Sequence, residues 1–293
     1  MTAGEVEVSV VIPTFNSEPT IGGTLESLAR QETARSWEVV VADNGSTDDT
    51  VAVIESFRDR LPSLTVLDAS DRRGISYARN CASAVSRGRY LAFVDSDDQV
   101  EEGWIDAVAK ALDRYEAAAT PHDHDRLNAP WVRETRDPPT PDGLQQNWFP
   151  PYLPHTAGGG MAVRREIHES LGGFDETFVA CEDNDYCFRI QLAGGKLGTV
   201  EGAVYYYRLK DTIRGIFRQA FLYAEETARL QRKYRRRGER RGKAWRWPIR
   251  YWPAIARSLP RVHTKGGRAR LAWLVGWELG RYSGSLKHRV FSI

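Results

Sequence analysis

Short apolar runs alternate with longer amphipathic stretches over the first part of the chain. EVSVVIPTF, WEVVVAD and RYLAFVD are rich in Val and aromatic residues and bounded by turn formers. Near-continuous apolar runs of this length predict strands buried on both faces, as strands of a parallel sheet are. Between them PTIGGTLESLARQ, TDDTVAVIESFRDRL and GISYARNCASAVSRG carry helical spacing. Strand, helix and strand in repetition predict an α/β sheet with right-handed crossovers. Ser46, Thr47 and Asp48 offer N-cap oxygens to the second helix, and Asp49 adds a first-turn carboxylate. EEGWIDAVAKALDRYEAA reads as a further amphipathic helix.

The pattern then breaks. Residues 120–155, rich in Pro, Asp, His and Trp, show no clean period and read as a long surface excursion of the kind that covers a site. Order returns at AGGGMAVRREIHESLGGFDE. CEDNDYCFRIQLAGGKLG predicts a helix stopped by Gly-Gly, and VEGAVYYYRL predicts a strand. From residue 211 the spacing is helical and increasingly basic, with no internal repeat.

Composition changes this picture mainly through charge. The net charge of +2 over 293 residues conceals a division: residues 229–293 hold 19 Lys/Arg against 2 Asp/Glu, leaving 22 against 37 in residues 1–228. An acidic body and a basic arm carrying five of the nine tryptophans imply an anionic partner for the arm. Three cysteines, Cys81, Cys181 and Cys187, argue against a disulfide framework and for a reducing cytoplasm. The start shows no basic-then-apolar leader pattern. Nowhere is there an apolar run of about 18 residues, so no spanning helix is expected.

Ligands of open α/β sheets bind beyond the carboxyl ends of the strands. Three predicted strands end there in polar groups: Pro13-Thr14-Phe15-Asn16, Asp43-Asn44-Gly45-Ser46 and Asp95-Ser96-Asp97-Asp98. Each alone reads equally as turn chemistry; three at one sheet edge point to a site. Two carboxylates at i and i+2 can share a hard divalent cation that also binds phosphate oxygens, although a solvated acidic turn or helix cap gives the same letters. In Cys181-Glu182-Asp183-Asn184-Asp185, some carboxylates are expected to cap the following helix and one to serve as a general base. Gly158-Gly159-Gly160 and Gly172-Gly173 allow close backbone approach to a ligand.

In order along the chain, VSVVIPTFN (8–16), VVVADNGSTDDT (39–50), RRGISYARN (72–80), RGRYLAFVDSDD (87–98), GGGMAVRREIHESLGGFDETF (158–178) and CEDNDYCFRI (181–190) resemble the family 2 glycosyltransferases of GT-A fold, over residues 6–210. The resemblance implies a Rossmann-like, mixed but mostly parallel sheet flanked by helices. It divides the chain into a nucleotide-sugar half (1–118), the excursion (119–155), an acceptor and catalytic half (156–210) and a basic helical extension (211–293). It implies that Pro13, Thr14, Phe15 and Asp43, with Glu18 as a further contact, hold the base of a nucleotide-sugar donor. Arg73, Gly74 and Arg79 would border base and diphosphate. Asp95, with Ser96 beside it, would hold the ribose or sugar, and Asp97, with Asp95, would bind Mn2+ or Mg2+. Asp183, paired with Glu182, would deprotonate the acceptor hydroxyl and so give inversion, with Gly159 and Gly160 on the acceptor side.

Two departures stand out. Second strands of the family often end Asp-Asp-Gly-Ser, where this chain has Asp43-Asn44. Many members place a metal-ligating His in a His-Tyr-Arg setting, where this chain has Tyr205-Tyr206-Tyr207-Arg208. Either Asp97, diphosphate and water hold the cation, or Arg208 and its neighbours carry part of the charge; His155 is a remote alternative ligand. The expected function is transfer of a sugar from a UDP-linked donor to a glycan, lipid-linked or small-molecule hydroxyl. A sugar-1-phosphate nucleotidyltransferase and a catalytically degenerate membrane-associated scaffold are the alternatives. For the former, VIPTFNSEPT lacks a basic Gly-rich loop to grip a triphosphate. The Trp/Arg-rich arm, residues 229–293, suits an anionic membrane surface. No nucleic-acid-binding motif accompanies it, so a cytoplasmic protein peripheral on the membrane is expected rather than a nucleic-acid binder.

Overall fold

The computed structural model describes residues 6–235 and 248–290. The chain divides into two compact units. One is built from the chain up to Asp123 together with Pro139–Gln146 and Pro154–Tyr207. The other takes His124–Pro138, Asn147–Leu153 and the described residues from Arg208 onward. The predicted excursion is thus shared between the two.

The first unit follows the alternation of the sequence. Strand β1 (Val8–Thr14) leads through helix α1 (Glu18–Ala29) to β2 (Trp37–Asp43), and α2 (Thr50–Glu55) leads to β3 (Leu64–Asp68). Helix α3 (Ile75–Val85) precedes β4 (Tyr90–Phe93), then β5 (Gln99–Val100), α4 (Trp104–Leu112), β6 (Ala117–Ala119) and β7 (His122–Asp123). Helix α5 (Pro130–Arg133) belongs to the second unit. β8 (Gln145–Gln146), β9 (Pro154–His155), β10 (Met161–Arg164), α6 (Arg165–Ser170), α7 (Glu182–Leu192), β11 (Leu197–Thr199) and β12 (Tyr205–Tyr206) complete the first. Seven strands form the main sheet in the order β11-β6-β10-β4-β1-β2-β3. β10 runs antiparallel to both neighbours and every other pair is parallel. All residues of β1 and β2 are buried, because successive side chains face opposite helical layers. Val10 and Ile12 pack with Ile21, Leu25 and Trp104 of α1 and α4. Val11 packs with Ala78 and Ala82 of α3 and Tyr186 of α7.

Four elements depart from expectation. The second helix is only six residues long, ends in a 3-10 turn at Arg58–Arg60, and is followed by an unforeseen edge strand, β3. β3 is only partly buried and so lacks the apolar run that marked its neighbours. Ala117 and Ala118, expected at the end of a helix, lie in β6. That strand is fully buried between β10 and β11, and packing overrides the helix preference of alanine. Of VEGAVYYYRL only Tyr205–Tyr206 pairs, with β5 and β7.

In the second unit, α8 (Ile213–Tyr234) is followed by α9 (Pro248–Ser258) and α10 (Lys265–Lys287). α8 and α10 pack through a glycine row: a Cβ on Gly276, Gly280 or Gly284 would stand 2.6, 2.1 or 2.7 Å from the carbonyl oxygens of Phe217, Phe221 and Glu225. The two series ascend together, so the helices run parallel. A Glu278–Arg281 ion pair of 2.7 Å is buried on α10. Residues 236–247, which hold much of the basic run together with Trp245 and Trp247, lie outside the described residues.

Candidate active site

Register brings the polar strand ends together. Thr14 pairs with Asp43, and Val11 with Phe93, so the loops after β1, β2 and β4 leave the same sheet edge. Asp43 is buried and accepts from the Ser46 backbone N–H (3.1 Å) and hydroxyl (2.5 Å). The Asn44 side-chain amide donates to the carbonyls of Ala69 (2.5 Å) and Arg72 (2.6 Å), while its Oδ1 accepts from Gly74 N–H (2.9 Å). A carboxylate could not donate to those two carbonyls, which accounts for asparagine at this position. Arg73 is held here by the Asn44 carbonyl (2.8 Å), and its guanidinium lies over the exposed Phe15 ring at 4.2 Å from the centroid. Pro13 sits inside β1 opposite Ala42. Glu18 faces the next helix instead: its carboxylate accepts from Asp49 N–H at 3.5 Å. Of the expected cap residues Ser46, Thr47 and Asp48, none is the N-cap of α2, which is Asp49 and makes no side-chain cap bond; the Asp48 carboxylate just before it accepts from the Thr50 N–H (3.2 Å) and hydroxyl (2.5 Å).

The acidic turn is held by its own chain. Asp98 N–H closes onto the Asp95 carbonyl (3.1 Å), and Ser96 is tied to Ser17 of the first loop, oxygen to oxygen at 2.7 Å. Arg79 of α3, with 1% of its side chain exposed, donates to Asp95 (2.7 Å) and to Glu182 (2.9 Å). Burial alone would lower the guanidinium pKa, but these carboxylates more than offset it and hold the charge in place. The Arg79 guanidinium also lies over Phe174 at 5.3 Å. Tyr205 accepts from Asp95 N–H (2.9 Å) and hydrogen-bonds the Asp98 carboxylate. Burial first, then the charges of Asp98 and Asp95, push its phenol well above 10.0.

α7 begins at Cys181, in the left-handed region at φ 60°, and puts Glu182, Asp183 and Asp185 in its first turn. Asp185 is committed to Arg189 (2.9 Å). Asp183 accepts from the N–H groups of Gly158 (2.9 Å) and Asn184 (2.8 Å). The residue is partly exposed, but burial of its carboxyl, reinforced by the adjacent Glu182 charge, pushes its pKa up to about 7. A chain of charged contacts therefore runs Asp95–Arg79–Glu182, with Asp183 next to its end.

The triglycine is explained by this packing. A Cβ on Gly158 would come within 2.5 Å of Arg79, and one on Gly159 within 2.5 Å of the Tyr205 hydroxyl and 3.0 Å of Asp95. Gly160 has φ +82° against the Tyr205 ring. His155 lies apart in β9, edge-on to Phe188, and burial lowers its pKa to about 4. Among the described residues no three His, Cys, Asp or Glu side chains gather as a metal site. Mg2+ and Mn2+ are commonly held by one or two carboxylates with phosphate and water oxygens, and Asp95 and Asp97, two residues apart on one turn, are donors of that chemical type, although one Asp95 oxygen is already bound by Arg79. The sequence did not mark Ser17, Phe174 or the role of Arg79 as a bridge. Tyr205 was visible only as part of a tyrosine stretch without histidine, and its spacing from the acidic turn carried no signal.

Residues 9–172 match the sequence model of Glycosyl transferase family 2. The chain is 38% identical over 91 residues, 31% of its length, to the UDP-Glc:α-D-GlcNAc-diphosphoundecaprenol β-1,3-glucosyltransferase WfaP of Escherichia coli. It spans about a fifth to a third of the length of the curated relatives at the head of its matches. Staphylococcus aureus TarS residues 1–349 in complex with UDP superpose with a TM-score of 0.57 at 19% identity, covering 96% of this chain and 92% of that one. The mannosyltransferase PcManGT of Pyrobaculum calidifontis, solved with GDP-Man and Mn2+, superposes at 0.67 and 19%, covering 97% and 88%. The fold is thus that of GT-A glycosyltransferases, and the family match covers more than half of the sequence. The chain belongs to glycosyltransferase family 2.

Proposed function

We propose that the protein transfers a sugar, with inversion, from a UDP-linked donor to the hydroxyl of a glycan or lipid-linked acceptor, and that Asp183 is the general base. The observation that carries this reading is the Asp183 carboxyl. It is raised towards neutral pH and anchored by two backbone N–H groups beside the Asp95–Arg79–Glu182 chain. A base whose pKa lies near the working pH is present in its proton-accepting form and still holds the proton it receives.

On this reading Phe15 and Arg73 offer a flat platform to the base, and Asp43, already fixed by Ser46, accepts from it. Asp95 and Asp97 would hold Mn2+ or Mg2+, which when bound would supply Lewis-acid stabilisation of the departing diphosphate. The acceptor oxygen attacks the anomeric carbon, the bond from that carbon to the diphosphate oxygen breaks, and its electron pair leaves with UDP. The acceptor proton passes to Asp183. Arg79 fixes Asp95 and Glu182 together, so donor side and base side keep one geometry. Names of relatives support the donor and acceptor classes: TarS is solved with UDP, and WfaP is named for UDP-Glc and a diphosphoundecaprenol acceptor. Three free cysteines accord with a cytoplasmic setting.

The test is UDP release from a panel of UDP-sugars and GDP-mannose, with Mn2+ and with chelator, for wild type, Asp97→Ala and Asp183→Asn. Release that needs the cation and falls in both variants supports the assignment. Release untouched by either substitution refutes it, and no release from any donor favours a degenerate scaffold.

A further inference from the structure

Between Glu239 and Glu278 the chain holds ten Lys and Arg residues and no Asp or Glu. The described part of this stretch is largely open to solvent around α9 and the 3-10 turn after it. Trp252 is 55% exposed, Leu259 53% and Val262 39%, and Ala256 is exposed as well. Trp252, Ala256 and Leu259 stand at i, i+4 and i+7, one helical face. Arg257 and Arg261, also exposed and spaced i and i+4, stand on the opposite side. Elsewhere in this unit the glycine row of α10 is filled by α8 and Lys265 lies over Trp131 of α5, while the exposed apolar side chains at the far end of α10, such as Leu286, lack the run of cations that flanks α9.

An exposed Trp, Leu and Val beside an unbroken set of cations needs a partner that offers an apolar layer and anionic groups together. Nucleic acid offers phosphates but leaves Leu259 and Val262 in water. A bilayer surface rich in anionic phospholipid satisfies both, with aromatic and aliphatic side chains at the acyl boundary and Arg at the headgroup phosphates. Among the described residues no helix is long and apolar enough to cross a membrane, so the contact is interfacial.

We propose that α9 and the turn through Val262 form a docking face for an anionic phospholipid bilayer, on which Trp252, Leu259 and Val262 insert and Arg257 and Arg261 meet the headgroups. The proposal rests on the glycosyltransferase reading only for its purpose, which is to bring the protein to a membrane-anchored hydroxyl acceptor.

The experiment is cosedimentation of the full chain with sucrose-loaded vesicles, neutral phosphatidylcholine against the same lipid with about 30% phosphatidylglycerol, at low and high salt. Expected is binding to the anionic vesicles at low salt, weakened by salt, and little binding to neutral ones. Arg257→Gln with Arg261→Gln lowers the partition coefficient about 30-fold, and Trp252→Ser with Leu259→Ser lowers it at least about tenfold. Melting curves and vesicle-free UDP-sugar hydrolysis stay at wild-type values in both pairs, which separates loss of docking from misfolding and from failure of the donor site. No preference for anionic vesicles overturns the proposal. So does wild-type binding by the Trp252/Leu259 pair, or tighter binding to polyuridylate that the same pair leaves unchanged.

Discussion

Replacing Asp183 by Asn separates the catalytic from the energetic consequences of its position. The carboxyl is raised from 3.8 to about 7, first by burial and then by the Glu182 charge, with Arg79 and two backbone N–H groups pulling the other way. A rise of that size corresponds to about 4 kcal/mol of preference for the neutral form over the ionised one in the folded protein. The sign of the stability effect follows. Below about pH 4 the carboxyl is neutral folded and unfolded, and Asp183 costs nothing. Between about pH 4 and 7 the unfolded chain ionises while the folded one holds its proton, so stability falls as pH rises. Above pH 7 the full cost is reached. Asn resembles the neutral acid in shape, and its carbonyl can still accept from Gly158 N–H. Asp183→Asn is therefore expected to unfold like wild type near pH 4 and to be more stable by about 4 kcal/mol at pH 8, measured by urea titration at several pH values. In the same variant kcat is expected to drop about 10²- to 10⁴-fold, with UDP affinity by calorimetry unchanged. Wild-type kcat/KM should fall on the acid side of about pH 7. Equal stability of the two proteins at pH 8 would remove the physical basis for Asp183 as a tuned base. Retained turnover would remove its role.

Three further perturbations test the scaffold around it. Arg79→Met keeps the length of the side chain but strands Asp95 and Glu182, and should cost about 3–5 kcal/mol in urea unfolding. Tyr205→Phe deletes one hydroxyl that serves Asp95 N–H and Asp98; a loss of about 1–2 kcal/mol is expected, with weaker donor binding in Mn2+. Gly280→Ala drives a methyl into the Phe221 carbonyl and should lower stability by about 1–3 kcal/mol, whereas Leu279→Ala, on the exposed side of α10, should change it by less than about 0.5 kcal/mol.

The parts of the fold that could be read from the sequence are those where one signal dominates. β1, β2 and β4 are buried on both faces and leave continuous apolar runs, so they and their polar ends were legible, and with them the candidate site. β3 lies at the sheet edge and is half solvated, so its five residues have no such run. β6 is three alanines, whose local preference is helical and whose strand state exists only because β10 and β11 flank it. The same division holds within the site. Asp43, Asp95 and Asp183 could be found from type and position. The bridging role of Arg79 could not, because its partners are 16 and 103 residues away. Asn44 looked like a lost carboxylate, yet it is needed as a double donor to Ala69 and Arg72.

The acidic turn after β4 raises the question of how three carboxylates within four residues fold at a buried strand end. A cation would relieve their repulsion, but the chain supplies much of the relief itself. Asp95 is neutralised by a buried guanidinium, and Asp98, itself buried, meets the Tyr205 hydroxyl. Two of the three carboxylates thus have partners within the chain. A tyrosine suits that task because its phenol, kept neutral by burial and by the two nearby acids, can donate to Asp98 while accepting from Asp95 N–H. An ionised phenol could not donate, and would add a further negative charge to the turn. Within the stretch Tyr205-Tyr206-Tyr207, it is Tyr205 that serves the acidic turn. It makes β12 a support for the acidic turn, and it leaves charge neutralisation to Arg79, the same residue that fixes Glu182 next to Asp183.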